Sequence, residues 1–120
     1  MIKFPKNNGK LRWTSHIKNK MLFYRISEQK IQTIMKNPDR KEEGIAPNTL
    51  AVMKRNDTPK RKEELWVMYA TSDPEDAAKA RFGGPKKVMI STWRYPGKSK
   101  PGKQIPIPND ILEAIKKEWF

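Results

Sequence analysis

His16 is the only histidine in the 120 residues and the only side chain whose ordinary pKa lies near neutrality. Lys20 follows four residues later, so on a helix the two share a face, and a neighbouring cation favours the neutral ring. A neutral imidazole beside lysines can deprotonate a ribose hydroxyl or protonate a leaving oxygen. The same position, near a helix start, equally suits a histidine that bonds a backbone group and does nothing else.

A second group is Thr92-Trp93-Arg94-Tyr95, followed by Lys98, Lys100 and Lys103. Arginine gives paired hydrogen bonds to phosphate, and Trp or Tyr can stack on an unpaired base, the combination that single-stranded nucleic acid requires. On a strand, Trp93 and Tyr95 share one face while Thr92 and Arg94 share the other. The competing reading makes Trp93 core and Arg94 a solvated strand end. Phe82-Gly83-Gly84-Pro85-Lys86-Lys87 lacks the spacing of a phosphate-binding loop and reads as a turn. The carboxylates have no metal-site spacing, and neither metal nor cofactor is expected. Lys60-Arg61-Lys62 is short and close to acids, and carries little alone.

The elements that must position these residues follow from period and punctuation. Lys10 to Trp13 suits a short strand, and Thr14 or Ser15 caps a helix to about Tyr24 with Ile17, Met21 and Tyr24 on its inner stripe. Ser27 caps a second helix, Glu28 to Asn37, with Ile31, Ile34 and Met35 inward and Pro38 ending it. Two helices joined so closely form an αα-hairpin. Thr49–Met53, Leu65–Ala70 and Val88–Arg94 are short, β-branched and aromatic, and read as an antiparallel meander. Between the last two, Asp73, Pro74 and Gly83 mark a short inserted helix. Tyr95 to Lys103 reads as a solvated Gly/Pro/Lys loop. Asn109 or Asp110 caps a last helix whose face of Ile111, Leu112, Ile115 and Trp119 packs on the sheet or on a partner.

The composition bounds the class. There are 26 Lys or Arg against 13 Asp or Glu and no Cys, a formal charge of +13. Disulfide frameworks and the usual structural zinc sites are excluded. No apolar run is long enough to span a membrane and the N-terminal stretch is not a secretory signal, so no membrane partner and a cytoplasmic location are expected. The excess is uneven: residues 1–41 carry 11 basic and 2 acidic side chains, 42–82 carry 7 and 8, and 83–120 carry 8 and 3. Charge of this size and sign points first to nucleic acid.

The run Ser15-His16-Ile17-Lys18-Asn19-Lys20-Met21-Leu22-Phe23-Tyr24-Arg25-Ile26-Ser27, with Lys36-Asn37-Pro38 closing the next helix, resembles the RelE/ParE toxin superfamily near its BrnT-like branch. The resemblance spans about residues 10 to 95. It has Lys20 where Arg is usual, Ile17 for Ala, Tyr24 for Arg, and Arg25 where Gly normally ends the first helix. It implies a single α+β domain over 1–120, a small RelE-like fold with a helical hairpin on a curved antiparallel sheet, in β-α-α-β-β-β order. The inserted helix and the 96–120 extension with its C-terminal helix are additions. It also implies a metal-independent endoribonuclease toxin with an antitoxin partner, acting on RNA that is often ribosome-bound. His16 would be general acid or base, and Lys20, Arg25 and Arg94 would stabilise phosphate charge. Tyr95 or Tyr69 would position the nucleotide, and Arg12, Lys18, Trp93, Lys98, Lys100 and Lys103 would bind the strand. The alternatives are a non-catalytic RNA- or DNA-binding module, in which His16 is structural, and a protein-binding toxin or inhibitor docking through the C-terminal helix.

Overall fold

The computed structural model describes residues 11–46, 48–71, 87–100 and 105–119. The helix expected between Asp73 and Gly83, together with Lys103 and the side chain of Trp119, lies outside the described residues. The elements run β1 (Leu11–Trp13), α1 (Ser15–Tyr24), α2 (Glu28–Lys36), β2 (Arg40–Glu43), β3 (Thr49–Arg55), β4 (Glu63–Thr71), β5 (Lys87–Pro96) and α3 (Asn109–Trp119). The α+β class and the C-terminal helix are as the sequence suggests.

The helix starts are set by their caps. Thr14 accepts the Ile17 N–H and Ser27 accepts the Lys30 N–H, each filling an orphan donor of a first turn. Helix α1 closes through Arg25, which takes left-handed φ 56° and ψ 52°, and the Ile26 N–H returns to the Met21 carbonyl at 2.9 Å. A residue with a Cβ thus stands where glycine is the comfortable choice, a conformational cost that the surrounding bonds hold in place.

Among the described residues five strands form one sheet in the order β1-β5-β4-β3-β2. The expected antiparallel meander is present as β3, β4 and β5, but the whole sheet is mixed, because β1 runs parallel to β5, Leu11 opposite Lys87. Strand β2 is also new. Arg40-Lys41-Glu42-Glu43 lacks apolar alternation, yet it pairs with β3 through main-chain bonds, Arg40 opposite Met53. A charged edge strand of this kind discourages pairing with another chain.

Both faces of the sheet are covered. Helices α1 and α2 bury Ile17, Met21, Ile31 and Ile34 against Trp13, Val52, Leu65, Val67, Tyr69 and Met89. On the other face, Ile111 and Ile115 of α3 join Ala51, Met53, Trp66, Met68, Ile90 and Trp93. Of the stripe expected on the last helix, Ile111 and Ile115 are therefore buried on its own sheet, while Leu112 is half-buried. Among the described residues no helix is long and apolar enough to cross a membrane.

Candidate nucleic-acid interface

The pairing of β4 with β5 slips between Met68 and Tyr69: Met68 lies opposite Ser91 and Tyr69 opposite Met89, leaving Ile90 as the extra residue of a bulge. Thr14 fastens it, its hydroxyl donating to the carbonyls of Met89 and Ile90 at 3.0 and 3.1 Å. This brings Ser91, fully buried, under the first turn of α1, where its Oγ lies 2.9 Å from His16 Nε2. His16 is half-buried. Lys20, on the same helix face as expected, ion-pairs with Asp110 in the first turn of α3. Burial opposes ionisation of Asp110, but the Lys20 bond and charge and the amides of Asp110 and Ile111 outweigh it and lower its pKa. Burial pushes the Tyr24 pKa up, and the Asp110 charge adds to it.

Arg94 closes the other end of the helix. Its Nε donates to the Tyr24 carbonyl at 2.6 Å, Nη2 to the Arg25 carbonyl at 2.9 Å, and Nη1 to Glu63 Oε2 at 2.8 Å. Two of the three guanidinium nitrogens serve the carbonyls at the C-terminus of α1, where a cation belongs, and the third ties that end to Glu63 of β4. Arg25 is exposed. Tyr95 is half-buried on the opposite sheet face, against the cluster that contains Trp93. His16 and Lys20 thus share a helix face but bond to β5 and α3 respectively, Arg94 meets the Arg25 carbonyl at the helix end, and Tyr95 stands on the other sheet face.

Tyr69, expected to position the nucleotide, and Trp93, expected to bind the strand, are both in the core. Tyr69 is 4% exposed and Trp93 is wholly buried. Trp93 lies parallel to Trp66, centroids 6.1 Å apart at 7°, and its indole N–H donates to the Pro106 carbonyl. Their apolar area is worth more inside the sheet than at a base. Arg12, Lys98 and Lys100 are exposed and Lys18 half-buried, so these remain available.

The feature that sequence reasoning missed lies where the β3–β4 turn meets the end of β5. Thr58-Pro59-Lys60-Arg61 is a tight turn, with the Thr58 N–H 2.8 Å from the Arg61 carbonyl. The Gly97 N–H bonds the Lys62 carbonyl at 2.8 Å, which joins this turn to the segment leaving β5. Beneath them Glu64 is 1% exposed. Its carboxylate accepts the Trp66 indole N–H, the Arg55 guanidinium, and both the N–H and hydroxyl of Ser99. Arg40 donates to the Ser99 and Lys100 carbonyls and lies 5.1 Å from the Trp66 ring centroid. Lys60, Arg61, Lys62, Lys98 and Lys100 are left exposed around this network.

The acids that made Lys60-Arg61-Lys62 look neutral in sequence form their ion pairs with other cations, although the Asp57 charge also acts on Lys62. Glu63 pairs with Arg94, Glu64 and Asp57 with Arg55, Glu42 with Arg40, and Asp39 with Lys54. Alternation along β4 hides Glu63 and Glu64 on opposite faces, a signal that the strand pattern contained. No protein-family model, curated protein or solved structure matches the chain.

Proposed function

We propose that this protein is a basic nucleic-acid-binding domain of the RelE/BrnT kind that works by holding phosphate. The carrying observation is the division of its charge. Among the described residues the acids of the sheet end are paired with Arg40, Lys54, Arg55 and Arg94, while the lysines at the turns face solvent. Solvated cations outside these ion pairs are what replace condensed counterions on a polyanion, with the charge of Asp57 acting on Lys62 as an opposing effect. The helical hairpin over one sheet face, following a first strand as in the β-α-α-β-β-β order that the resemblance implies, supports the family reading, with β2 as an added strand. The test is binding of RNA and DNA as a function of salt, with affinity expected to fall steeply as salt rises.

Metal-independent RNA cleavage is the second reading, favoured by the half-buried His16 on the same helix face as Lys20. Two features weigh against it: His16 Nε2 is bonded to a buried serine, and Arg94 is occupied in capping α1. Incubation with RNA in EDTA separates the readings. Cleavage that disappears in His16→Ala would establish the enzyme, and intact RNA the binding module. An antitoxin partner belongs to the toxin reading and stands or falls with it.

A further inference from the structure

Glu64 is anomalous in its burial. A glutamate with 1% exposure is rare unless paired, and a buried ionic group contributes less to stability than a well-packed apolar residue of similar size. Its bonds are directed at one piece of chain. Glu64 holds the Ser99 N–H and hydroxyl, Arg55 beside it holds the Gly97 carbonyl at 3.1 Å, and Arg40 holds the Ser99 and Lys100 carbonyls. The Lys62 carbonyl takes the Gly97 N–H. A segment rich in Gly, Pro and Lys would otherwise be a mobile loop; here its backbone is fixed from below, with Lys98 and Lys100 projecting on either side of the anchored Ser99.

Resting on the nucleic-acid reading above, we infer that the joined tips carrying Lys60, Arg61, Lys62, Lys98 and Lys100 form a pre-ordered contact for the phosphodiester backbone of a duplex, with Glu64 as its positioning residue. Fixing the lysine-bearing backbone in advance reduces the ordering cost of binding. Among the described residues the uncharged exposed positions of the tip are Thr58, Pro59 and Pro96; its aromatic side chain, Tyr95, is half-buried against the Trp93 cluster, and Trp66 and Trp93 are wholly buried, so no fully exposed ring is offered to unpaired bases. Nor does it offer a bilayer anything to insert, since among the described residues the exposed large apolar side chains, Leu22 and Phe23, belong to α1. Contacts confined to phosphates position a protein on a duplex without reading sequence.

The experiment measures affinity against salt for the full chain with a duplex RNA, a duplex DNA of the same sequence, one of the single strands, and vesicles containing phosphatidylserine. Wild type binds the duplexes best. The triple variant Lys62→Gln, Lys98→Gln, Lys100→Gln lowers the log–log salt slope on duplex DNA by about 2–3, at about 0.9 for each phosphate no longer neutralised. Lys116→Gln with Lys117→Gln, exposed cations in the last turn of α3, leaves that slope unchanged. Glu64→Gln, confirmed folded by circular dichroism, keeps all five cations and still weakens binding several-fold, whereas Ser91→Ala, which alters a buried hydroxyl elsewhere, does not. Equal affinity for both duplexes marks a backbone interaction common to them, and preference for duplex RNA marks an added 2′-hydroxyl interaction. Steep duplex binding whose slope follows Lys116 and Lys117 overturns the tip and leaves the nucleic-acid reading intact. Preference for the single strand or the vesicles overturns the duplex assignment, and no binding to any nucleic acid overturns both readings.

Discussion

Glu64 accepts both the main-chain N–H and the hydroxyl of Ser99, at 3.0 and 2.7 Å, from a position with 1% exposure. A strand residue on the core side of the sheet thereby fixes a segment 35 residues away in sequence. Replacing Glu64 with Gln removes the charge opposite Arg55 and leaves one oxygen to serve donors that now have two. The expected loss of stability is about 1–3 kcal/mol, the cost of leaving buried polar groups unsatisfied, measured by urea denaturation. A change below a few tenths of a kcal/mol would mean that the network does not hold the turn.

Much of the fold was legible in the residues. The caps at Thr14 and Ser27, the helical stripes and the three apolar strands are local patterns, and local patterns are what periodicity reports. Strand β2 was not legible, because Arg40 to Glu43 pairs through its backbone and its side chains carry no alternation of polarity. The parallel placement of β1 depends on where a helical hairpin returns the chain, which a three-residue strand does not encode. At the site, strand alternation correctly separated Trp93 from Arg94, but the partners of Arg94 and Glu64 lie up to 70 residues away and follow only from the sheet register. The same distance concealed the tip, whose two halves are unremarkable until Gly97 meets Lys62.

Arg25 bears a side chain at φ 56°, a conformation glycine adopts without strain. Its side chain is exposed, and Arg94 bonds its carbonyl, which a glycine keeps. Arg25→Gly is expected to stabilise the protein by about 0.5–1 kcal/mol, relief of left-handed strain exceeding the added unfolded-state entropy. Thermal denaturation checks this; a lower melting temperature would show that the arginine side chain contributes more than its backbone costs.

His16 and Ser91 join α1 to the bulge of β5. If the domain only binds, His16→Ala costs about 1 kcal/mol, the net worth of one hydrogen bond, and leaves nucleic-acid affinity within about twofold. RNA incubated with wild type in EDTA stays intact over hours. Time-dependent cleavage by wild type, lost in the variant, would move His16 from structure to catalysis.

Asp110 has its pKa held below the ordinary value of 3.8 by Lys20 and the α3 amides, against the opposing effect of burial. A depressed folded-state pKa contributes stability that is complete above the unfolded value and lost as pH falls through the folded one. Asp110→Asn therefore makes the acid limb of the stability profile shallower below about pH 4. At neutral pH it costs less than about 1 kcal/mol, because the carboxylate is half solvated. The same variant lowers the Tyr24 pKa towards 10.0 by removing the nearby negative charge, a shift readable by ultraviolet titration of the phenols. An unchanged acid limb together with an unchanged tyrosine titration would exclude the α1–α3 pair as a source of either effect.

Whether the outward-facing cations bind a polyanion is tested most directly by the equilibrium affinity of the wild-type chain for a nucleic-acid duplex across a salt series. Binding is expected to weaken linearly on a log–log plot with a slope of magnitude about 3 or more, equivalent to several phosphate contacts. Absence of binding at low salt, or an affinity indifferent to salt, would contradict the nucleic-acid reading and leave the charge as a property of solubility alone.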